Sequence, residues 1–220
     1  MSEAFDPRPV LLVHGLWNAK LWLTPLAWRL RRAGFEVGGF GYPSIVGGAE
    51  AAVEALVDHL RPGPELDLVG HSLGGLIALE ALRRAPDLPV RRVVCLGSPL
   101  CGSAVARNLG RHWPVAWALG RSRGLLESGC PPWQGRAQVG VVAGNVAHGV
   151  GRLVARFDGP SDGTVAVAET RLPGLADHCL VAASHTGLVF SRPAAGQAAA
   201  FLRHGRFGPS PGADALYNRA

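Results

Sequence analysis

Short apolar runs alternate with helix-length amphipathic stretches along most of this 220-residue chain. The stretch "PVLLVHG" at 9–15 is almost continuously apolar and ends at glycine, which is typical of a strand buried on both faces. In residues 49–60, by contrast, apolar residues recur at helical spacing, and "RPGP" then ends the predicted helix. This alternation predicts an α/β fold with a mostly parallel central sheet flanked by helices. Further strands are predicted at 35–40, 66–70, 90–97, 137–144 and 179–184, and further helices at 21–33, 74–85 and 194–203.

Two regions interrupt the alternation. Residues 104–136 contain Trp113, Trp117 and Trp133 among prolines, and residues 145–178 include a glycine-rich loop. Segments that project from an α/β sheet often carry binding surfaces, so 104–136 is interpreted as a possible lid segment, small enough to leave the site fairly open. The predicted organisation is an N-terminal tail at 1–8, a single domain at 9–205 and a flexible C-terminal tail at 206–220.

The composition restricts the classes of partner. The formal net charge is +6, but the arginines are scattered, so no nucleic-acid partner is predicted. No stretch has the length and apolarity of a membrane span, and the first residues lack the pattern of a secretory signal, so the cytoplasm is the expected location. The four cysteines show no metal-type spacing and are interpreted as small buried apolar residues, although a Cys101–Cys130 disulfide is conceivable. No cofactor or metal is expected.

A serine lies at the corner between a predicted strand and a predicted helix. Gly70-His71-Ser72-Leu73-Gly74 matches Gly-x-Ser-x-Gly, and the motif requires this strand–turn–helix context. Such a corner presents the hydroxyl of Ser72 to solvent, while glycines let the neighbouring backbone pass close by. The helix that follows directs its free N–H groups and its positive dipole end toward negative charge at the serine. The pattern therefore predicts a nucleophilic Ser72.

A serine nucleophile needs a base and an acid, which follow it in the order acid, then histidine, in proteins with this corner. His185, in "AASHTGL", follows the last predicted strand and is the predicted base; His148 lacks a supporting frame, and His178 is expected to be an exposed loop residue on the opposite edge. Asp162, in "PSDGTVAV", is the predicted acid, with its neighbour Asp158 as the open alternative. Asp177 is set aside because it shares the location of His178.

Two backbone N–H groups should stabilise the oxyanion, one after the nucleophile and one from an early loop. Leu73 is the first predicted donor and Leu16, in "VHGLW", the second. Trp17 is the favoured substrate-binding tryptophan because it follows Leu16. His14 is interpreted as a structural histidine that braces the same loop.

Four stretches together resemble the α/β-hydrolase superfamily, and within it the small lipase/esterase-like members. They are "LLVHGLW", "GHSLGG", "VVCLGSPLCGS" and "SDGTVAV" with the later "SHTGL", in the family's order over about residues 9–205. The third stretch carries Leu100 where many lipases have histidine. The resemblance implies Ser72, Asp162 and His185 as the triad and Leu16 with Leu73 as oxyanion donors.

The expected function is hydrolysis of carboxylic esters, with a small-molecule or lipid ester as substrate. An acyltransferase or a thioesterase on the same scaffold is the alternative, and a non-catalytic binding module is a further one. Relatives that cleave epoxides or carbon–halogen bonds use aspartate at this corner, where this chain has Ser72. Oligomeric state and the natural ester stay open.

Overall fold

A parallel β-sheet forms the centre of the protein. The computed structural model describes residues 8–16, 20–42, 47–110, 119–148 and 159–209. Within these residues six strands pair in the order β2-β1-β3-β4-β5-β6, and every pair is parallel. The strands are β1 Val10–Val13, β2 Val37–Phe40, β3 Leu66–His71, β4 Val90–Leu96, β5 Gln138–Gly144 and β6 Asp177–Val181. The predicted fold class is confirmed.

The order of the strands reverses beside β1. The chain forms β2 on one side of β1 and then returns to place β3 on the other side, with Val13 of β1 paired with Gly70 of β3. In open α/β sheets, ligands bind beyond the carboxyl ends of the strands at such a reversal. The ends of β1 and β3 carry the "HGL" stretch at 14–16 and the "GHSLGG" stretch, so the topology brings these two stretches to one place.

Helices cover both faces of the sheet. One layer contains α1 and two helices near the carboxyl end, α6 and α7, whose apolar residues form one core with Val10, Val69 and Val94. The other layer contains α2 and α3, which pack together over Leu11, Leu68 and Val93. The helices are α1 Thr24–Arg32, α2 Gly48–Leu60, α3 Leu73–Arg84, α4 Ala104–Gly110, α5 Arg123–Ser128, α6 Gly187–Phe190 and α7 Arg192–His204, and short 3₁₀ turns lie at Lys20–Leu23, Gly120–Ser122 and Val167–Thr170.

A buried arginine fastens the last helix to the sheet. Arg92 of β4 donates through Nη1 to the carbonyl oxygens of Leu202 and Arg203, at 2.6 and 2.9 Å, and through Nε to Gln138. Its backbone N–H donates to the buried carboxylate of Asp67 at 3.0 Å. The carbonyl groups at the end of α7 lack partners within the helix, and burial keeps water from them. The guanidinium of Arg92 supplies the hydrogen-bond donors that they need.

The predictions for the cysteines, the lid segment and the carboxyl-terminal tail can now be compared with the structure. The interpretation of all four cysteines as buried is wrong, because only Cys95 is buried, Cys101 is exposed, and all four thiols are free. The lid interpretation stays a prediction, since residues 104–136 form α4, a 3₁₀ turn and α5, with 111–118 outside the described residues. Of the predicted tail, 206–209 are described, and there the N–H of Phe207 donates to Asp177. No helix in the described ranges has the length and apolarity needed to cross a membrane.

Candidate active site

Ser72 occupies a strained corner between β3 and α3. Its φ of 56° and ψ of −122° make it the only non-glycine residue with positive φ among those the structure describes. A side chain at such angles costs on the order of 1–3 kcal/mol. The backbone N–H of Ser72 donates to the carbonyl oxygen of Leu96 at 2.9 Å, which ties the corner to β4. The surrounding sheet therefore holds the serine in a conformation that it would not adopt alone.

The glycines of the motif are needed for close packing. A Cβ atom on Gly74 would overlap the carbonyl oxygen of Val13 and lie 2.7 Å from that of His14. A Cβ on Gly70 would lie 2.5 Å from the backbone nitrogen of Gly75. The first turn of α3 thus packs directly against the end of β1, as the motif predicts. This contact sets the start of the loop after β1, at His14, beside the Ser72 corner.

The side chains of Ser72, His185 and Asp162 form one hydrogen-bonded chain. The Oγ of Ser72 lies 3.0 Å from Nε2 of His185, and Nδ1 of the same imidazole lies 2.7 Å from Oδ2 of Asp162. A carboxylate accepts only, so Nδ1 carries the proton and donates to Asp162. Nε2 of the neutral ring is then free to accept the serine proton. The order hydroxyl, imidazole, carboxylate is the arrangement that activation of a serine nucleophile requires.

Asp162 is held in a tight local turn. Its Oδ1 accepts hydrogen bonds from the backbone N–H groups of Thr164 and Val165, at 2.9 and 2.7 Å. Its own carbonyl oxygen accepts from the N–H of His185 at 2.9 Å, so the backbones of the two partners are joined as well. The carboxylate is 1% exposed and the imidazole 13% exposed. Water therefore screens the attraction between Asp162 and a protonated His185 only weakly.

His71, the residue before Ser72, contacts His185. Its Nε2 lies 3.0 Å from the carbonyl oxygen of His185, and the two ring centroids are 5.0 Å apart. Burial, together with the nearby His185 imidazole, lowers the pKa of His71 to about 3, so the ring is neutral near pH 7. Because a carbonyl oxygen only accepts, the single ring proton lies on Nε2. Nδ1 is buried and has no partner among the described residues.

The two proposed oxyanion donors lie at the ends of β3 and β1. Leu73 is the first residue of α3, so its N–H has no acceptor within the helix. Leu16 lies in the turn after β1, half-buried against the apolar core. His14 braces this loop: Nδ1 donates to the carbonyl of Gly15 at 2.9 Å, Nε2 accepts from the N–H of Tyr42 at 3.3 Å, and the two rings stack. Burial lowers the pKa of His14, in keeping with a structural, neutral ring.

The family model described as alpha/beta hydrolase fold matches residues 8–125, which are more than half of the chain. The chain belongs to the α/β-hydrolase family. The matched residues include β1, β3, α3 and β4, and with them the Ser72 corner of this α/β-hydrolase.

Two curated relatives and one solved structure are similar to this α/β-hydrolase. It is 30% identical over 132 residues to a 2-hydroxymuconate semialdehyde hydrolase of Pseudomonas sp. (strain CF600), covering 54% of this chain and 46% of the relative. It is 31% identical over 127 residues to a pimeloyl-(acyl-carrier protein) methyl ester esterase of Aromatoleum aromaticum, covering 54% and 49%. The chain thus spans about half the length of these relatives. The mature lipase BlEst2 of Bacillus licheniformis shares the fold, with a TM-score of 0.66 at 22% identity over 85% of this chain and 89% of that one.

Three other residues of this α/β-hydrolase carry predictions from the sequence, namely Trp17, Asp158 and His178. Trp17 and Asp158 lie outside the described residues. The interpretation of His178 as an exposed loop residue is wrong: it lies in β6, its Nε2 is 2.8 Å from the hydroxyl of Thr170, and burial lowers its pKa to about 4. The described residues contain no group of three or more His, Cys, Asp or Glu side chains that could hold a metal ion.

Sequence reasoning missed the contributions of His71 and Tyr42. His71 occupies a variable position of the serine motif, so the motif assigns it no role. Tyr42 hydrogen-bonds through its hydroxyl to the carbonyl of His14 at 2.7 Å, across 28 residues of chain. Only the parallel pairing of β1 with β2 carries Tyr42, two residues after β2, to this loop.

Proposed function

We propose that this protein hydrolyses carboxylic esters through an acyl-enzyme intermediate on Ser72. The observation that carries the proposal is the continuous path of hydrogen bonds from the hydroxyl of Ser72 through the imidazole of His185 to the carboxylate of Asp162. Nucleophile, base and orienting acid are the three groups that acyl transfer to a serine requires.

The first half of the reaction forms the acyl-enzyme. Nε2 of His185 takes the proton of Ser72 while Oγ attacks the carbonyl carbon of the ester, and the carbonyl oxygen becomes an oxyanion. The N–H groups of Leu16 and Leu73 are the proposed donors to this oxyanion. The tetrahedral intermediate then collapses: the bond to the alcohol oxygen breaks, and the protonated imidazole gives its proton to the leaving alkoxide.

The second half returns the enzyme to its resting state. A water molecule gives a proton to Nε2 of His185 and attacks the acyl carbon, which forms a second oxyanion in the same place. Collapse breaks the bond to Oγ of Ser72, which regains a proton from the imidazole, and a carboxylic acid leaves. Asp162 accepts the Nδ1 proton throughout, so the imidazole keeps the required tautomer and its charged form is stabilised.

The names of the similar proteins support ester chemistry. One curated relative is a methyl ester esterase, another is a hydrolase, and the solved structure with the shared fold is a lipase. The substrate class proposed here is an uncharged carboxylic ester of moderate size. Two described cavities of about 330 and 350 Å³ are both lined by Trp133, and Ser72 lines neither of them, so neither cavity is proposed as the acyl site.

A fluorophosphonate probe combined with ester hydrolysis tests the proposal. We expect the purified protein to be labelled and to hydrolyse nitrophenyl esters, while Ser72→Ala loses the label and at least about 10⁴-fold in kcat/KM. A series of esters of increasing chain length then reports the preferred acyl group. Labelling without hydrolysis would indicate an acyltransferase, which passes the acyl group to an acceptor other than water. A folded wild-type protein that shows neither labelling nor turnover would refute the proposal.

A further inference from the structure

The exposed large apolar side chains are concentrated in two segments. Among the described residues they are Leu21, 74% exposed, Trp28, 53%, Phe190, 47%, and Trp22, 41%. We call these four residues the apolar patch. Leu21 and Trp22 belong to the 3₁₀ turn before α1, Trp28 lies on α1, and Phe190 ends α6. Scattered exposed apolar residues are ordinary, but clustering on one side of the molecule indicates a binding surface.

The two segments are in contact with one another. The rings of Trp22 and Phe190 meet edge to face, with centroids 5.7 Å apart and an interplanar angle of 90°, and α6 packs against α1. Each segment also follows a loop of the candidate active site. The 3₁₀ turn begins four residues after Leu16, and α6 begins two residues after His185. The apolar patch is therefore joined through Trp22 and Phe190, and both of its segments follow loops of the candidate active site in the chain.

The helices of the same layer carry positive charge and no negative charge. α1 contains Arg29, Arg31 and Arg32, α7 contains Arg192 and Arg203, and α1, α6 and α7 contain no aspartate or glutamate. The guanidinium groups of Arg32 and Arg29 lie 4.8 and 5.9 Å from the centroid of the Trp28 ring. The apolar patch and the cations beside it thus form one basic, aromatic surface.

The opposite layer differs in this respect. On α2 and α3, Glu50 pairs with Arg84, and Glu80 pairs with both Arg83 and Arg84. Carboxylates and guanidinium groups neutralise one another there, whereas α1, α6 and α7 carry arginines and no carboxylate. The helices of the two layers therefore differ in charge.

We propose that the apolar patch, with Arg29 and Arg32, adsorbs this protein to the surface of an anionic lipid membrane. Tryptophan and phenylalanine side chains insert at the level of the headgroups, where the apolar ring is buried and the indole N–H stays hydrated. Arginines beside them attract anionic headgroups, each strengthening binding about five-fold. A nucleic acid would pair with the cations but would offer no apolar phase to Leu21. The surface therefore fits a lipid interface better than a polyanion.

Sedimentation with vesicles tests this proposal independently of catalysis. The probe is ether-linked phosphatidylcholine vesicles with and without ether-linked phosphatidylglycerol, since ether lipids cannot be hydrolysed as esters. We expect binding to the anionic vesicles, weakened by high salt, because screening shortens the reach of the arginines. Trp28→Ser should weaken binding about ten-fold, because it removes one buried ring. Arg32→Gln should weaken binding about five-fold.

The matched control is Arg61→Gln, an exposed arginine directly after α2 in the opposite layer. This variant loses the same charge and should bind as the wild type does. Melting curves and hydrolysis of a soluble short-chain ester should be unchanged in Trp28→Ser, because its ring is half exposed and distant in sequence from the reacting groups. Equal binding by wild type and Trp28→Ser would overturn the proposal, as would failure of the wild type to sediment. Light scattering that shows a dimer abolished by Trp28→Ser would instead assign the surface to a second copy.

Discussion

The Nε2–H of His71 donates a hydrogen bond to the backbone carbonyl oxygen of His185, at 3.0 Å. The residue before the proposed nucleophile thus holds the loop that carries the proposed base. A side chain with no donor at position 71 should let the imidazole of His185 move, and a displacement of about 1 Å can cost roughly 10²-fold in rate.

We therefore expect His71→Phe to lower kcat about 10- to 100-fold on a soluble nitrophenyl ester while KM changes little. His71→Gln is the matched control, because its amide N–H can reach the same carbonyl oxygen. Steady-state kinetics of both variants check this. If both variants lose equal activity, the hydrogen bond is not the cause.

Replacing each aspartate by asparagine shows whether Asp162 or Asp158 is the acid that orients His185. In Asp162→Asn, Oδ1 can still accept from the N–H groups of Thr164 and Val165, which turns the new NH₂ group toward Nδ1 of His185. Two donors would then face each other and the imidazole would take the wrong tautomer. The expected loss is about 10⁴-fold in kcat.

Asp158→Asn is the control for this experiment and should keep the rate within about ten-fold of the wild type. The measurement is ester hydrolysis at pH 8, with circular dichroism to confirm folding. A severe loss in Asp158→Asn and a mild one in Asp162→Asn would reassign the acid.

The strain at Ser72 should be visible in stability measurements. Glycine tolerates a φ of 56° and alanine does not, so Ser72→Gly should be about 1 kcal/mol more stable than Ser72→Ala. Urea unfolding of the two inactive variants measures the difference directly. Equal stabilities would show that the corner is not strained.

Gly74 should not accept a side chain. Ala is the better helix former, yet in Gly74→Ala the new Cβ would overlap the carbonyl oxygen of Val13, and backbone cannot move aside cheaply. We expect a loss of about 1–3 kcal/mol in the free energy of unfolding. Gly196→Ala is the control: that glycine lies within α7 with no atom within 4 Å of a new Cβ, so stability should rise by up to about 1 kcal/mol. The comparison fails if Gly74→Ala is as stable as the wild type.

The buried His71 should make stability depend on pH. Its pKa is about 3 in the folded protein and 6.5 when exposed, so between these values the unfolded chain binds the proton and the folded protein does not. The contribution of His71 to the free energy of unfolding is therefore fully present above pH 6.5. Below that pH the free energy of unfolding falls by about 1.4 kcal/mol per pH unit, until the folded pKa is reached. The pKa values of His178 and His14 are lowered in the same direction.

Urea unfolding of the wild type and of His71→Gln at pH 5, 6 and 7 measures this contribution. The difference in slope between the two proteins isolates His71, because the other histidines are common to both. Parallel curves would mean that His71 is protonated in the folded protein or solvated there.

Local sequence patterns predict the strands of the sheet and the corner at Ser72. β1 is a run of four buried apolar residues, and β3 and β4 are mostly buried and apolar, while the glycines around Ser72 are required by backbone contacts that the motif itself implies. Motif and chain order predict Ser72 and His185, whereas they do not distinguish Asp162 from its neighbour Asp158. Two neighbouring turns of similar composition cannot be separated without the path of the chain.

The remaining features depend on tertiary contacts. α6 has four residues, too few for helical periodicity to register, and it forms where it packs against α1. The carbonyl of His185 that accepts from His71 lies 114 residues away in the chain. His178 is turned inward by Thr170, a partner on a 3₁₀ turn that no local signal indicates. Such contacts exist only once the sheet has formed.

The hydroxyl of Ser72 and the imidazole of His185 are separated by 113 positions in the chain. A ribosome delivers the amino-terminal part first, so Ser72 emerges long before His185 has been synthesised. β4, β5 and β6 all lie between the two residues in the chain, so the hydrogen bond between them can form only after half of the strands of the sheet have been made and added.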